Sequence, residues 1–170
     1  MRDTPLLPDV GNYEDLVARF RWDVPAIFNI AQACCDRWAD GSGRLAPINV
    51  VPGAAPERIT FDALRETSAR LGAVLQAQGV GRGHRVAVLL PQGAEAAIAH
   101  LAAYRIGAIA VPLFQLFGPD ALEFRLRDSG ARAVVTDEVG LAKLAGIRDR
   151  LGELRVILNA DGARRGALSL

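Results

Sequence analysis

Between residues 84 and 160, four short apolar runs alternate with longer segments of helical periodicity: HRVAVLLP (84–91), AIAVPLF (108–114), ARAVVTD (131–137) and LRVILNA (154–160). Each run is continuously apolar, which is the pattern of a strand covered by helices on both faces. The segments between them, GAEAAIAHLAAYRIG (93–107), PDALEFRLRDSG (119–130) and EVGLAKLAGIRDRLG (138–152), suit crossover helices. Strand and helix in such regular succession predict a parallel sheet joined by right-handed crossovers.

Upstream, the chain reads as an arm (1–25), then helices and a short β-hairpin that pack on the sheet (26–83), with 84–170 as the α/β subdomain of the same domain. YEDLVARF (13–20) predicts a short helix, and RWDVP (21–25) breaks it. In AIFNIAQACCDRWAD (26–40), Ile27, Ile30, Ala31, Cys34, Cys35 and Trp38 fall on one apolar stripe of a helix. LAPINVVP (45–52) and RITF (58–61) read as a hairpin around Pro52-Gly53. Thr60 is placed to cap a helix over 61–78 that buries Leu64, Ala69, Leu71, Val74 and Leu75, and Gly79 sits at its left-handed end.

A chain of 170 residues can close one core without disulfides or a structural metal. Twenty Lys+Arg against nineteen Asp+Glu give a net charge of +1, and the basic residues are scattered, so nucleic acid is not an expected partner. No apolar run approaches the roughly 18–20 residues needed to cross a bilayer. The first residues, Met1 to Pro5, lack the apolar core of a signal peptide, and the expected location is the cytoplasm. Cys34 and Cys35 are adjacent, which disfavours a disulfide between them; small buried side chains are the simpler reading, a reactive thiol the alternative. With only His84 and His100 besides, no Cys/His metal site is expected.

In an open parallel sheet, ligands collect outside the carboxyl ends of the strands. The segments to inspect are therefore Pro91-Gln92-Gly93, Phe114 to Gly118, Thr136-Asp137 and Asn159 to Gly162. The glycine-rich GVGRG (79–83) lies at the opposite end, between a helix and a strand, and reads as a terminator and turn. Phosphate-loop and nucleophile-elbow motifs are absent from the sequence. Asp137 reads as a helix cap ahead of Glu138, or alternatively as a functional carboxylate. His100 reads as a core-edge residue in preference to a base, and His84 lies in a turn on the side away from ligands. Arg125 and Arg127 read as a solvated helix face whose neighbours Phe124 and Leu126 are buried.

Taken in order, FRWDVPAIFNIAQACCDRWAD, ITFDALRETSARLGAVLQAQGVGRGHRVAVLLPQGAEAAIAHLAAYRIGAIAVPLF and FGPDALEFRLRDSGARAVVTD resemble the beginning of an AMP-forming acyl-CoA synthetase, with most likeness to the acetyl- and medium-chain enzymes. The combination carries the resemblance: a helix, a G-V-x-R-G turn, the RVAVLLP strand, and YRIGAIAVPL, similar to the family's first core motif. It implies an α/β fold, a parallel sheet flanked by helices and preceded by a helix and a short β-hairpin, as the incomplete N-terminal portion of the large domain of an adenylate-forming enzyme.

The resemblance further implies ATP, Mg²⁺ and coenzyme A for the parent enzyme, with a carboxylic acid as substrate. The family's Ser/Thr/Gly-rich loop ending in Pro-Lys-Gly, its Tyr/Thr-Glu motif, its hinge aspartate and its C-terminal lysine do not occur here, and the resemblance places them beyond Leu170. A fragment without them is expected to hold none of these ligands tightly, to contain no catalytic residue and to be inactive alone. His84 stands where the family commonly has aspartate. One position carries over: Gln115, five residues before Asp120, matches a glutamine that contacts coenzyme A in medium-chain enzymes, the alternative being a loop amide that caps nearby backbone. A second overall reading is a non-catalytic α/β interaction module or degenerate relative, with a possible homodimer through exposed apolar faces. Phe114 and Phe117 are then expected to pack on structure outside this chain.

Overall fold

A computed structural model describes residues 7–22, 25–50, 53–162 and 168–169. Helices α1 (Tyr13–Arg19) and α2 (Ile30–Cys34) precede an antiparallel pair, β1 (Leu45–Asn49) and β2 (Glu57–Thr60), and the long helix α3 (Phe61–Ala77). There follow β3 (Arg85–Leu89), α4 (Ala94–Arg105), β4 (Ile109–Pro112), α5 (Pro119–Ser129), β5 (Ala133–Thr136), α6 (Glu138–Ala145), β6 (Val156–Asn159) and the two-residue β7 (Leu168–Ser169). The large sheet is wholly parallel, in the order β4-β3-β5-β6-β7. The α/β expectation holds, with β7 as a strand the sequence pattern did not suggest.

That order reverses direction once. The chain steps from β3 to β4, then back across β3 to β5 and outward to β6. With right-handed crossovers, the reversal puts α4 on one face and α5 and α6 on the other. Alternate strand residues serve the two faces accordingly. Val86, Val88, Val135 and Leu158 meet Leu71 and Leu75 of α3 and Ala99, Ala102 and Ala103 of α4. Ala87, Leu89, Val134 and Ile157 meet Leu122 and Leu126 of α5 and Leu144 of α6. The alanines of α4 let α3 approach closely: a Cβ on Gly72 would lie 3.2 Å from Ile106 Cγ2 and 3.6 Å from the Ala102 carbonyl oxygen.

Thr60 caps α3, its hydroxyl accepting from Ala63 N (3.1 Å), and Gly79 ends the helix region at φ 74°. The buried stripe is Leu64, Ser68, Leu71, Gly72 and Leu75, with Ala69 and Val74 at its margin. The hairpin pairs Ile48 with Arg58 and Asn49 with Glu57; Gly53 begins its far side in a left-handed conformation, while Pro52 lies outside the described residues.

Three expectations are corrected. The helix over 26–40 is only α2 followed by a 3-10 turn at Asp36–Trp38, because Cys35 leaves helical geometry (φ −124°, ψ −63°). Asn29 starts it late, accepting from Ala31 N (2.9 Å) and donating to the carbonyls of Tyr104 and Arg105 (3.1 Å each). Ile27, Ile30 and Cys34 are consequently exposed, while Ala31 and Cys35 are buried against Leu64 and Leu101. Asp36 forms a bidentate pair with Arg105 of α4 (2.7 and 2.8 Å), fixing the turn. Second, β4 is not covered on both faces: it is the sheet edge, and Ile109 is 53% exposed. Third, Phe124 is exposed, not buried, because α5 turns Leu122 and Leu126 to the sheet instead.

Candidate functional site

Of the segments at the carboxyl ends of the strands, the structure brings Phe114 to Gly118 and Thr136-Asp137 together across the end of β3. Gln115 Nε2 donates to Asp137 Oδ2 (2.5 Å), and Asp137 Oδ1 accepts from Gly140 N (2.8 Å), capping α6 as its spacing predicts. Lys143, one turn further along α6, donates through Nζ to the Gln115 carbonyl and to the Phe117 carbonyl (3.3 Å). The amide of Gln115 thus meets a carboxylate, whereas the sequence alternative had it capping backbone.

The platform beneath this loop is tight. Thr136 is fully buried and donates to the Leu89 carbonyl (3.0 Å), and a Cβ on Gly140 would lie 2.0 Å from Thr136 Oγ1, so only glycine lets α6 start this close to β5. Next to it, buried Asn159 donates to Glu138 Oε1 (3.2 Å), and Glu138 N donates to Asp161 Oδ2 (2.9 Å). Gln92 and Gly93 border a separate pocket of about 180 Å³ with Leu90, Ala97, His100 and Leu113.

His100 sits on α4 with Tyr104, hydroxyl to Nδ1 3.4 Å, and partial burial lowers its pKa below the usual imidazole value. It is the core-edge histidine anticipated. His84 accepts from Gly81 N through Nδ1 (3.0 Å) in the turn at the far end of the sheet. Cys35 is buried, with desolvation and the neighbouring Asp36 charge raising its thiol pKa, which disfavours the reactive thiolate. Cys34 is exposed, contrary to the buried reading. Arg127 pairs with Glu123 (3.4 Å), whereas Arg125 is not merely solvated: its guanidinium stacks 4.1 Å from the Phe117 ring centroid.

Phe117 packs against the second core, and Phe114 meets it edge-on at 6.0 Å. The chain itself therefore supplies Phe117's packing; Phe114 remains 61% and Leu116 80% exposed. Lys143 was missed by pattern reasoning because helical periodicity treats it as one more surface charge. Its signal was compositional: it is the only lysine among twenty Lys+Arg residues.

Among the described residues no group of three His, Cys, Asp or Glu side chains is placed to hold a metal ion. Asp137 and Lys143 are already bonded to the loop and to α6, so these residues do not by themselves fit a Mg²⁺-nucleotide site.

The family model described as AMP-binding enzyme matches residues 35–169. The acetyl-coenzyme A synthetase of Sodalis glossinidius (strain morsitans) is 37% identical over 123 residues, 71% of this chain and 19% of that protein. The acetyl-coenzyme A synthetase of Halorhodospira halophila (strain DSM 244 / SL1) is 40% identical over 116 residues, 66% of this chain and 18% of that protein. Among solved structures, the acyl-CoA synthetase of Brucella canis superposes with TM-score 0.80 at 32% identity, covering 94% of this chain and 31% of that one. The anthranilate CoA ligase AuaEII in complex with anthranoyl-AMP gives 0.75 at 27% identity, covering 86% and 28%. The chain thus spans about a fifth of the length of the curated relatives it matches. It belongs to the AMP-binding enzyme family.

Proposed function

We propose that the protein carrying this chain activates a carboxylic acid, acetate or a medium-chain acid, and transfers the acyl group to coenzyme A. A carboxylate oxygen attacks the α-phosphorus of ATP and pyrophosphate leaves; the coenzyme A thiol then attacks the acyl carbon, AMP leaves, and the thiol proton passes to solvent. The observation that carries this reading is the family match across 35–169, supported by relatives whose names specify acetyl-coenzyme A synthesis. Gln115 is the proposed coenzyme A contact in this chain: it lies at the carboxyl end of β4, half-buried, with its amide nitrogen on Asp137.

The chain by itself is proposed to be inactive, because phosphoryl transfer needs cationic and N–H donors placed in advance. Among the described residues, Lys143 is a cation at this edge, and it is committed to two carbonyls. A cytoplasmic location and self-association through exposed Ile109, Phe114 and Leu116 complete the proposal.

Acid-dependent ATP–pyrophosphate exchange tests it. The full-length protein should catalyse exchange with acetate or a medium-chain acid, and the purified 170-residue chain should not. Exchange by the chain alone, or none by the full-length protein with any carboxylic acid, would overturn it.

A further inference from the structure

We propose that Lys143 and Asp137 are positioning residues, which fix the loop between β4 and α5 and thereby set the affinity for coenzyme A. The proposal rests on the reading of Gln115 as a coenzyme A contact. The loop, residues 113–118, follows an edge strand and, among the described residues, has no neighbouring strand on its outer side. Its backbone is tied down at its ends, where Leu113 N donates to Val88 O (2.9 Å) and Phe117 N turns back to Phe114 O (3.0 Å). The side-chain bonds that reach Gln115 come from one direction. Lys143 takes the Gln115 and Phe117 carbonyls, and Asp137 takes the Gln115 amide.

These two residues can act as a clamp because their own base is rigid. Asp137 caps α6, Glu138 N is held by Asp161, and Gly140 presses the helix onto the buried Thr136. Loop and platform differ in sequence distance by more than twenty residues: Gln115 to Asp137 spans 22 and Gln115 to Lys143 spans 28. The clamp is thus a tertiary device that orients the Gln115 side chain and the exposed flanks Phe114 and Leu116. A lysine suits the task, since one ammonium carries three donors on a stem long enough to serve two carbonyls at once.

The test uses the full-length protein with Lys143→Met, Lys143→Arg, Asp137→Ser and Gln115→Ala. Serine keeps a cap for α6 but is too short for Gln115. Lys143→Met, which removes two charge-assisted hydrogen bonds to the loop, and Asp137→Ser, which removes one, should each raise KM for coenzyme A about 5- to 10-fold. They should speed amide exchange at 114–117 and leave ATP–pyrophosphate exchange unchanged, and Lys143→Arg should restore most of the affinity. If Lys143→Met leaves both loop exchange and KM for coenzyme A unchanged while Gln115→Ala raises that KM, the clamp is wrong and the Gln115 reading survives. If Lys143→Met raises it while Gln115→Ala is silent, the Gln115 contact falls and the clamp acts only through the exposed flanks Phe114 and Leu116. Loss of pyrophosphate exchange in step with coenzyme A affinity would reduce both residues to general structural support and overturn the proposal.

Discussion

At the amino end of the sheet Arg85 donates to the carbonyls of Ser129 (2.5 Å), Gly130 (2.9 Å) and Gly83 (3.3 Å); at the carboxyl end Lys143 donates to those of Gln115 and Phe117. Both ends thus use a cation to hold backbone oxygens that no strand pairs. They differ in what is held. The amino-end turns run through glycines at positive φ, Gly83 at 80° and Gly130 at 57°, and Arg85 beside them is spent on backbone carbonyls. The carboxyl-end loop carries Phe114, Gln115 and Leu116, two of them largely exposed. One end is built to close the fold, the other to present side chains, and the glycine-rich GVGRG belongs to the first.

The largest expected effect undermines the carboxyl end from below. Gly140→Ala puts a methyl 2.0 Å from Thr136 Oγ1 and 3.0 Å from Leu89 Cδ2, both deep in the fold, and should destabilise the chain by about 2–3 kcal/mol in urea unfolding. A change below about 0.5 kcal/mol would show that α6 can slide off β5 freely. Next, Arg85→Ala at the amino end should cost about 1.5–2 kcal/mol, since three carbonyls lose a charged donor. In the full-length protein it should leave KM for coenzyme A unchanged, the opposite signature to Lys143→Met.

How much of this contrast could be read in the sequence depends on the range of the interactions. Thr60, Gly79 and Asp137 act within three or four residues of themselves, and their caps follow from local chemistry. The strand AIAVPLF reads as apolar as ARAVVTD, yet the first is an edge and the second central. Pro112 was the available cue, because proline is tolerated at an edge strand and not within a central one. The 26–40 helix failed for a similar reason: Asn29, a strong capping residue, is the fourth residue of the expected helix, and its tie to Tyr104 and Arg105 is tertiary. At the site, the carboxyl-end loops were identified by topology, while Lys143 was reachable only through fold geometry.

A smaller effect concerns α4, which runs between the two ends. Burial lowers the His100 pKa in the folded state, so the unfolded chain binds the proton more readily. Stability contributed by neutral His100 is present above the unfolded value of about 6.5 and is lost as pH falls through the window below it. Urea unfolding from pH 7.5 to 5 should show this loss, and His100→Gln should flatten that part of the profile. An unchanged slope in the variant would assign the pH dependence to other groups.

The contrast between the ends is tested most directly by hydrogen–deuterium exchange of the full-length protein with and without coenzyme A. Protection should appear at 113–118 and at 137–143, and the turns at 79–84 and 129–132 should exchange at the same rate in both states. Protection confined to the amino-end turns, or none at 113–118, would contradict the assignment of the carboxyl end as the ligand-facing side.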